Sequence, residues 1–158
     1  KKIKINIMKK THIRKEIIDH LIELKRNEIK KLEESHKIYA ESADLDEESS
    51  LELDDFSQQN QSTDAARNLQ LRIDREKDLL NQFINLKPEL VPEITEGNVV
   101  FTDKVNMVIG LAFKDFEWNG KRFVGISTSA PIFEALVGKR ENDTLNFNGI
   151  DYTIEEIL

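Results

Sequence analysis

Residues 38–66 carry nine carboxylates and no Lys or Arg: Glu41, Asp44, Asp46, Glu47, Glu48, Glu52, Asp54, Asp55 and Asp64. The whole chain has a formal net charge of -7, so everything outside this block is slightly positive. Carboxylates crowded without cationic partners repel one another. Two things relieve that repulsion. One is solvation at an exposed polar turn, the usual fate of a charge run. The other is a hard divalent cation with oxygen ligands, typically Mg²⁺. No His or Cys lies in the block, which argues against zinc there. A second charged set has the opposite sign. The first 37 residues hold twelve Lys/Arg against six Asp/Glu. Within them Lys25, Arg26, Lys30, Lys31 and Lys37 could form a basic stripe. That stripe would either face a polyanion or be neutralised along its own helix by Glu23, Glu28, Glu33 and Glu34, since i,i+4 pairs are common on such helices. His12, His20 and His36 are too scattered to bind a metal.

Composition narrows the classes. A chain of 158 residues with 39% hydrophobic and 34% charged residues suits long exposed helices joined to a modest core. Cysteine is absent, which excludes disulfides and thiolate metal sites. No apolar run approaches the roughly 20 residues that span a bilayer. The basic start, with Ile3, Ile5 and Ile7 alternating with polar residues, forms no signal-peptide core. Met8 is a candidate natural start. A cytoplasmic, monomeric protein with no membrane partner is expected.

Two long elements must position the acids. Residues 11–43 contain no Gly or Pro and are rich in helix formers, with Thr11 as the expected N-cap. Residues 54–86 are likewise free of Gly and Pro, and Pro88 ends them. Both show a heptad seam. In the first it runs Ile22, Ile29, His36, Ala43 at position a and Ile18, Lys25, Leu32, Tyr39 at d. In the second it runs Ala66, Ile73, Leu80 at a and Leu69, Glu76, Phe83 at d. Pairing the two in opposite directions matches Ile29 with Leu69, Leu32 with Ala66 and Ile18 with Leu80, around a midpoint at residue 49. An antiparallel coiled-coil hairpin over 1–87 follows, with its acidic tip near 44–55. The same pairing sets Ile22 against Glu76 and Lys25 against Ile73, polar seam residues of the kind that cost stability and fix register.

Residues 88–97 read as a linker, and 98–158 as a small antiparallel β domain with one short helix. Strands are expected at 99–101, 105–113, 121–127, 144–147 and 150–157, with Asn119-Gly120 and Asn148-Gly149 as hairpin turns. Ser129 is the expected N-cap of a helix with Pro131 in its first turn, ended by Gly138. Phe101, Phe113, Phe123, Phe133 and Phe147 are assigned to the core, and Trp118 to the rim. The fold class is α+β.

The run Ile126-Ser127-Thr128-Ser129-Ala130-Pro131-Ile132-Phe133-Glu134-Ala135-Leu136-Val137-Gly138-Lys139 resembles the C-terminal motif of the bacterial Gre transcription factors. Ala43-Asp44-Leu45-Asp46-Glu47 is similar to that family's Gly-Asp-Leu-x-Glu-Asn tip. The resemblance implies an FKBP-like C-terminal domain that docks on the rim of the RNA polymerase secondary channel through Ser129, Ala130, Pro131, Ile132 and Phe133. It implies a hairpin that carries Asp44 and Glu47, with Asp46 and Glu48 as further candidates, to a Mg²⁺ shared with the polymerase. Those carboxylates would stimulate cleavage of backtracked RNA, with Lys25, Arg26, Lys30 and Lys31 near the RNA 3′ end. The protein would be an accessory transcription elongation factor, not an enzyme in itself. Ala43 replaces the family's glycine, Glu48 replaces its asparagine, and the tip carries surplus acids. That surplus resembles the inhibitory Gre homologues, so a channel-occupying regulator without cleavage is the alternative. A peptidyl-prolyl isomerase and a coiled-coil scaffold are the remaining readings.

Overall fold

The computed structural model describes residues 2–48, 53–87 and 92–158, with side chains for 6–43, 60–87 and 92–158. Helix α1 spans Lys2–Glu48 and α2 spans Leu53–Ile84. The six strands are β1 Val99–Thr102, β2 Asn106–Ile109, β3 Phe116–Trp118, β4 Lys121–Ile126, β5 Thr144–Phe147 and β6 Ile150–Ile157, and α3 covers Pro131–Leu136. The class is α+β, as expected. The chain forms two compact units, one of Lys1–Leu21 with Gln82–Leu158 and the other of Ile22–Asn81.

The unit of Ile22–Asn81 is a pair of helices packed along the expected seam. On α2, Ile73 and Leu80 are buried while Ala66, Leu69 and Glu76 are half-buried. On α1, Lys25 and Ile29 are buried, and Ile22, Leu32, His36 and Ala43 are half-buried. Tyr39 departs from the pattern. It is exposed, and Ala40 takes the half-buried place. A helix with 3.6 residues per turn drifts about 20° per heptad from a 3.5 repeat, which moves the contact to a later residue.

The other unit is built on the sheet, in the order β3-β4-β2-β1-β6-β5. Its core joins Ile94, Val100, Met107, Ile109, Leu136 and Ile154. One pair is parallel: β2 runs alongside β4, with Asn106 opposite Phe123 and Ile109 opposite Ile126. The all-antiparallel expectation is corrected there. The reason lies at Gly110, whose φ of 114° is open mainly to glycine. The chain leaves the sheet after Ile109, so 105–113 is not one strand, and it returns as β3. Gly125 makes room for this crossing. A Cβ at that position would lie 2.4 Å from the Leu111 carbonyl oxygen and 2.7 Å from the Phe113 nitrogen. Both Asn-Gly turns form as expected, with positive φ at Asn119, Gly120, Asn148 and Gly149.

Two expected caps are corrected. Thr11 lies inside α1, where its hydroxyl donates to the Ile7 carbonyl at 2.9 Å. The Gly- and Pro-free stretch simply continues helical back to Lys2. The N-cap of α3 is Ala130, extended at φ -69° and ψ 136°, with no side-chain cap. Pro131 takes the first helical position and holds the residue before it extended. Ser129 instead shares a 3.1 Å hydroxyl contact with Ser127. Gly138 follows the helix at φ 84°.

The start of α1 packs in this same unit, with Ile17 and Leu21 fully buried. Arg14 donates from Nε and Nη2 to the Gly97 carbonyl at 3.0 and 2.7 Å. Its partial burial lowers the pKa of the guanidinium from its ordinary value. Glu141 Oε1 accepts from Lys10 Nζ at 2.6 Å and from the Ile157 N–H at 3.1 Å. Desolvation pushes the Glu141 carboxyl up, but the Lys10 bond, the Ile157 N–H and the Lys10 charge outweigh it and hold the pKa below 4.5. A depressed folded pKa adds stability above the unfolded value and loses it as pH falls through the folded one. Glu141→Gln should therefore lower the melting temperature at pH 7. The difference from the parent should close as pH drops below 4.5, read as melting temperature against pH for both proteins.

Candidate functional site

The acidic block sits where α1 ends and α2 begins. Asp44, Asp46, Glu47 and Glu48 occupy the end of α1, which has no basic residue in its last turn. Their side chains lie outside the described residues. Positions 44 and 47 are three apart in continuous helix, and such positions share a face. The C-terminus of a helix carries roughly half a negative charge, so acids here add to an already negative end. A cation is the natural complement. Among the described residues no group of three or more His, Cys, Asp or Glu could hold a metal. His12 sits 3.1 Å from Glu16, His20 packs 5.2 Å from the Phe116 ring, and His36 lies in the seam.

The basic residues divide. Lys25 leaves the stripe: it is 5% exposed, and its Nζ lies 3.0 Å from Glu76 and 3.5 Å from Glu28. Arg26, Lys30 and Lys31 are exposed. Arg26 and Lys30 line a depression of about 250 Å³ with Ile29, Glu33, Lys77, Leu80 and Asn81. Lys77 was missed by sequence reasoning, which paired only the seam positions and sought the basic stripe on α1 alone. It reaches across to Glu33 at 2.6 Å, a contact visible only once the helices are paired.

On α3 the five candidate docking residues do not form one exposed strip. Ile132 and Leu136 are buried in the core, and Phe133 packs half-buried against it. Ser129 and Pro131 are exposed, and Val137, 44% exposed, joins them. The rings of the β unit are committed to its interior. Phe123 stacks on Phe116 at 5.3 Å and meets Phe101 and Trp118 edge-on at 6.0 and 6.3 Å. Phe101, Phe116 and Phe123 are all buried. Residues 93–97 are held firmly. Ile94 is fully buried and bonds through its backbone to Lys139 and Gly138, and Arg140 meets Glu93 at 2.9 Å. No described helix is long and apolar enough to cross a membrane.

No protein-family model matches the chain, and no curated protein matches it. Among solved structures it is similar to the crystal structure of GreA factor homolog 1 (Gfh1) of Thermus thermophilus. The identity is 19%, over 87% of this chain and 94% of that one, with a TM-score of 0.38.

Proposed function

We propose that this protein is a transcription elongation factor that inserts its acidic helical hairpin into the secondary channel of bacterial RNA polymerase. The observation that carries the reading is a run of nine carboxylates without Lys or Arg over residues 38–66, with Asp46, Glu47 and Glu48 in the last turn of α1 and Asp54 and Asp55 in the first turn of α2. The tip and C-terminal motifs similar to those of Gre factors support this choice of partner. Asp44 and Glu47, one turn apart, would take one side of a Mg²⁺ that the polymerase holds from the other. In two-metal chemistry such an ion stabilises the attacking and leaving oxygens of a phosphodiester displacement. The chain's own task is to present the carboxylates and to orient a water by hydrogen bonding. Arg26 and Lys30 would neutralise nearby phosphate. Ser129, Pro131 and Val137 form the exposed edge of α3 available to the channel rim. The surplus acids, Asp46, Glu48, Glu52, Asp54 and Asp55, support one alternative at the same site, a factor that occupies the channel without promoting cleavage.

The partner is tested by placing a photoreactive amino acid at position 46 and mixing the protein with core polymerase. A crosslink to the catalytic subunit beside the active centre is the expected result. Absence of any polymerase crosslink, from position 46 or from a second label at position 129, would remove the reading.

A further inference from the structure

Asn119-Gly120 and Asn148-Gly149 each set a side-chain amide next to the backbone nitrogen of a glycine. That pairing allows a reaction within the chain. The glycine nitrogen attacks the asparagine Cγ and loses its proton, the bond from Cγ to the side-chain nitrogen breaks, and ammonia leaves. Water then opens the resulting five-membered imide at one of its two carbonyls. The product is an aspartate or an isoaspartate, and nothing is oxidised or reduced. Glycine suits the attack because it has no Cβ to obstruct it. Both asparagines are exposed, and a Cβ placed on either glycine would meet nothing within 4 Å.

The folded turns oppose the reaction. Asn119 and Asn148 sit at φ 50° and 51°, in the left-handed region. There the next nitrogen lies on the far side of the Cα–C bond from the side chain, so the ring cannot close until the turn opens. The rate at each position therefore follows how readily its hairpin opens locally. Both hairpins lie at edges of the sheet, β3 at one and β5 at the other. They differ one pair below the turn. In β5–β6 that pair is Asn146 and Asp151, and Asn146 Nδ2 donates to Asp151 Oδ1 at 2.7 Å. In β3–β4 it is Glu117 and Arg122, of opposite charge and yet not joined. Arg122 turns instead to Asp115, away from the turn.

We infer that Asn119-Gly120 is a site of spontaneous deamidation in the folded protein, and that the Asn146–Asp151 bond protects Asn148-Gly149 from the same reaction. Conversion at Asn119 places a new carboxylate close to Lys121 in the chain. Lys121 has no carboxylate partner among the described residues, and its Nζ rests 4.8 Å from the centre of the Phe101 ring. The inference does not depend on the proposed function.

The full-length folded protein is incubated at mildly alkaline pH beside the same chain unfolded in urea. Aspartate and isoaspartate at each position are followed by peptide mass spectrometry. Each folded rate is divided by the rate of the same position in urea, which removes local sequence effects. The quotient should be about tenfold larger at Asn119 than at Asn148, the weight of roughly one hydrogen bond to a charged group. D151A and N146A should each raise the Asn148 quotient by about tenfold and leave that of Asn119 unchanged. Equal quotients in the parent, or a larger one at Asn148, would overturn the inference. So would an Asn119 that stays intact in the folded protein while it converts in urea. An Asn148 quotient that neither D151A nor N146A moves would remove the protective role of the Asn146–Asp151 bond, and the inference with it.

Discussion

Replacing Phe123 with alanine should unfold the β unit at a temperature lower by roughly 10–15 °C, given about 2–4 °C per kcal/mol for a chain of this size. Phe123 is fully buried. It lies on β4, paired with Asn106 of β2 on one side and Phe116 of β3 on the other. Removing a buried aromatic ring costs about 3–5 kcal/mol through lost transfer energy and the cavity left behind. Here the ring also stacks on Phe116 and meets Phe101 and Trp118 edge-on, so the loss belongs at the upper end of that range. Typical domains have only about 5–15 kcal/mol in total. Trp118 is the chain's single tryptophan and touches the deleted ring, so its fluorescence reports the transition directly. A melting midpoint within about 2 °C of the parent, less than 1 kcal/mol, would show that the ring cluster does not hold the sheet together.

The double substitution D44A/E47A should abolish factor-dependent RNA shortening while leaving the protein folded. Substitutions that merely support a metal's ligands commonly cost 10–100-fold in activity. Removing two proposed direct ligands should therefore cost about 100-fold or more. Unfolding does not confound the result. Alanine is the best helix former, and two fewer acids at the negative end of α1 relieve repulsion there. Polymerase binding should persist in this variant, because the proposed rim contact through α3 is untouched. Single substitutions of Asp46 or Glu48 should have smaller effects, since neither stands at a carboxylate position of the tip motif.

Local chemistry was legible in the sequence wherever a residue type dictates its own backbone. Asn119-Gly120 and Asn148-Gly149 announced their turns, Pro131 and Gly138 bounded α3, and the α2 seam could be read from the spacing of Ala66, Leu69, Ile73, Glu76 and Leu80. What depended on distant partners was not legible. The parallel pairing of β2 with β4 joins residues that a strand scan treats separately. The break at Gly110 is hidden inside an unbroken apolar run. Ser129 has the better capping side chain, yet Pro131 fixes the helix start one residue later. Lys25 shows the limit at the candidate site. Its charge placed it with Arg26 and Lys30 on a basic stripe, and its spacing placed it in the seam. Only the presence of Glu76 across the helix pair decides for the seam. The acids of the tip were visible as a block, and the helix ends that flank them follow from the two seams.

The acidic hairpin is proposed to work at the polymerase active centre. The most direct measurement adds the purified protein, with Mg²⁺, to stalled and backtracked elongation complexes carrying end-labelled RNA. The expected result is shortened RNA that regains extension with added nucleotides, and loss of that shortening with D44A/E47A. Stalled extension without shortening, relieved by D44A/E47A, would assign the channel-occupying alternative. RNA unchanged in length and in extension, at protein concentrations well above that of the polymerase, would contradict the claim.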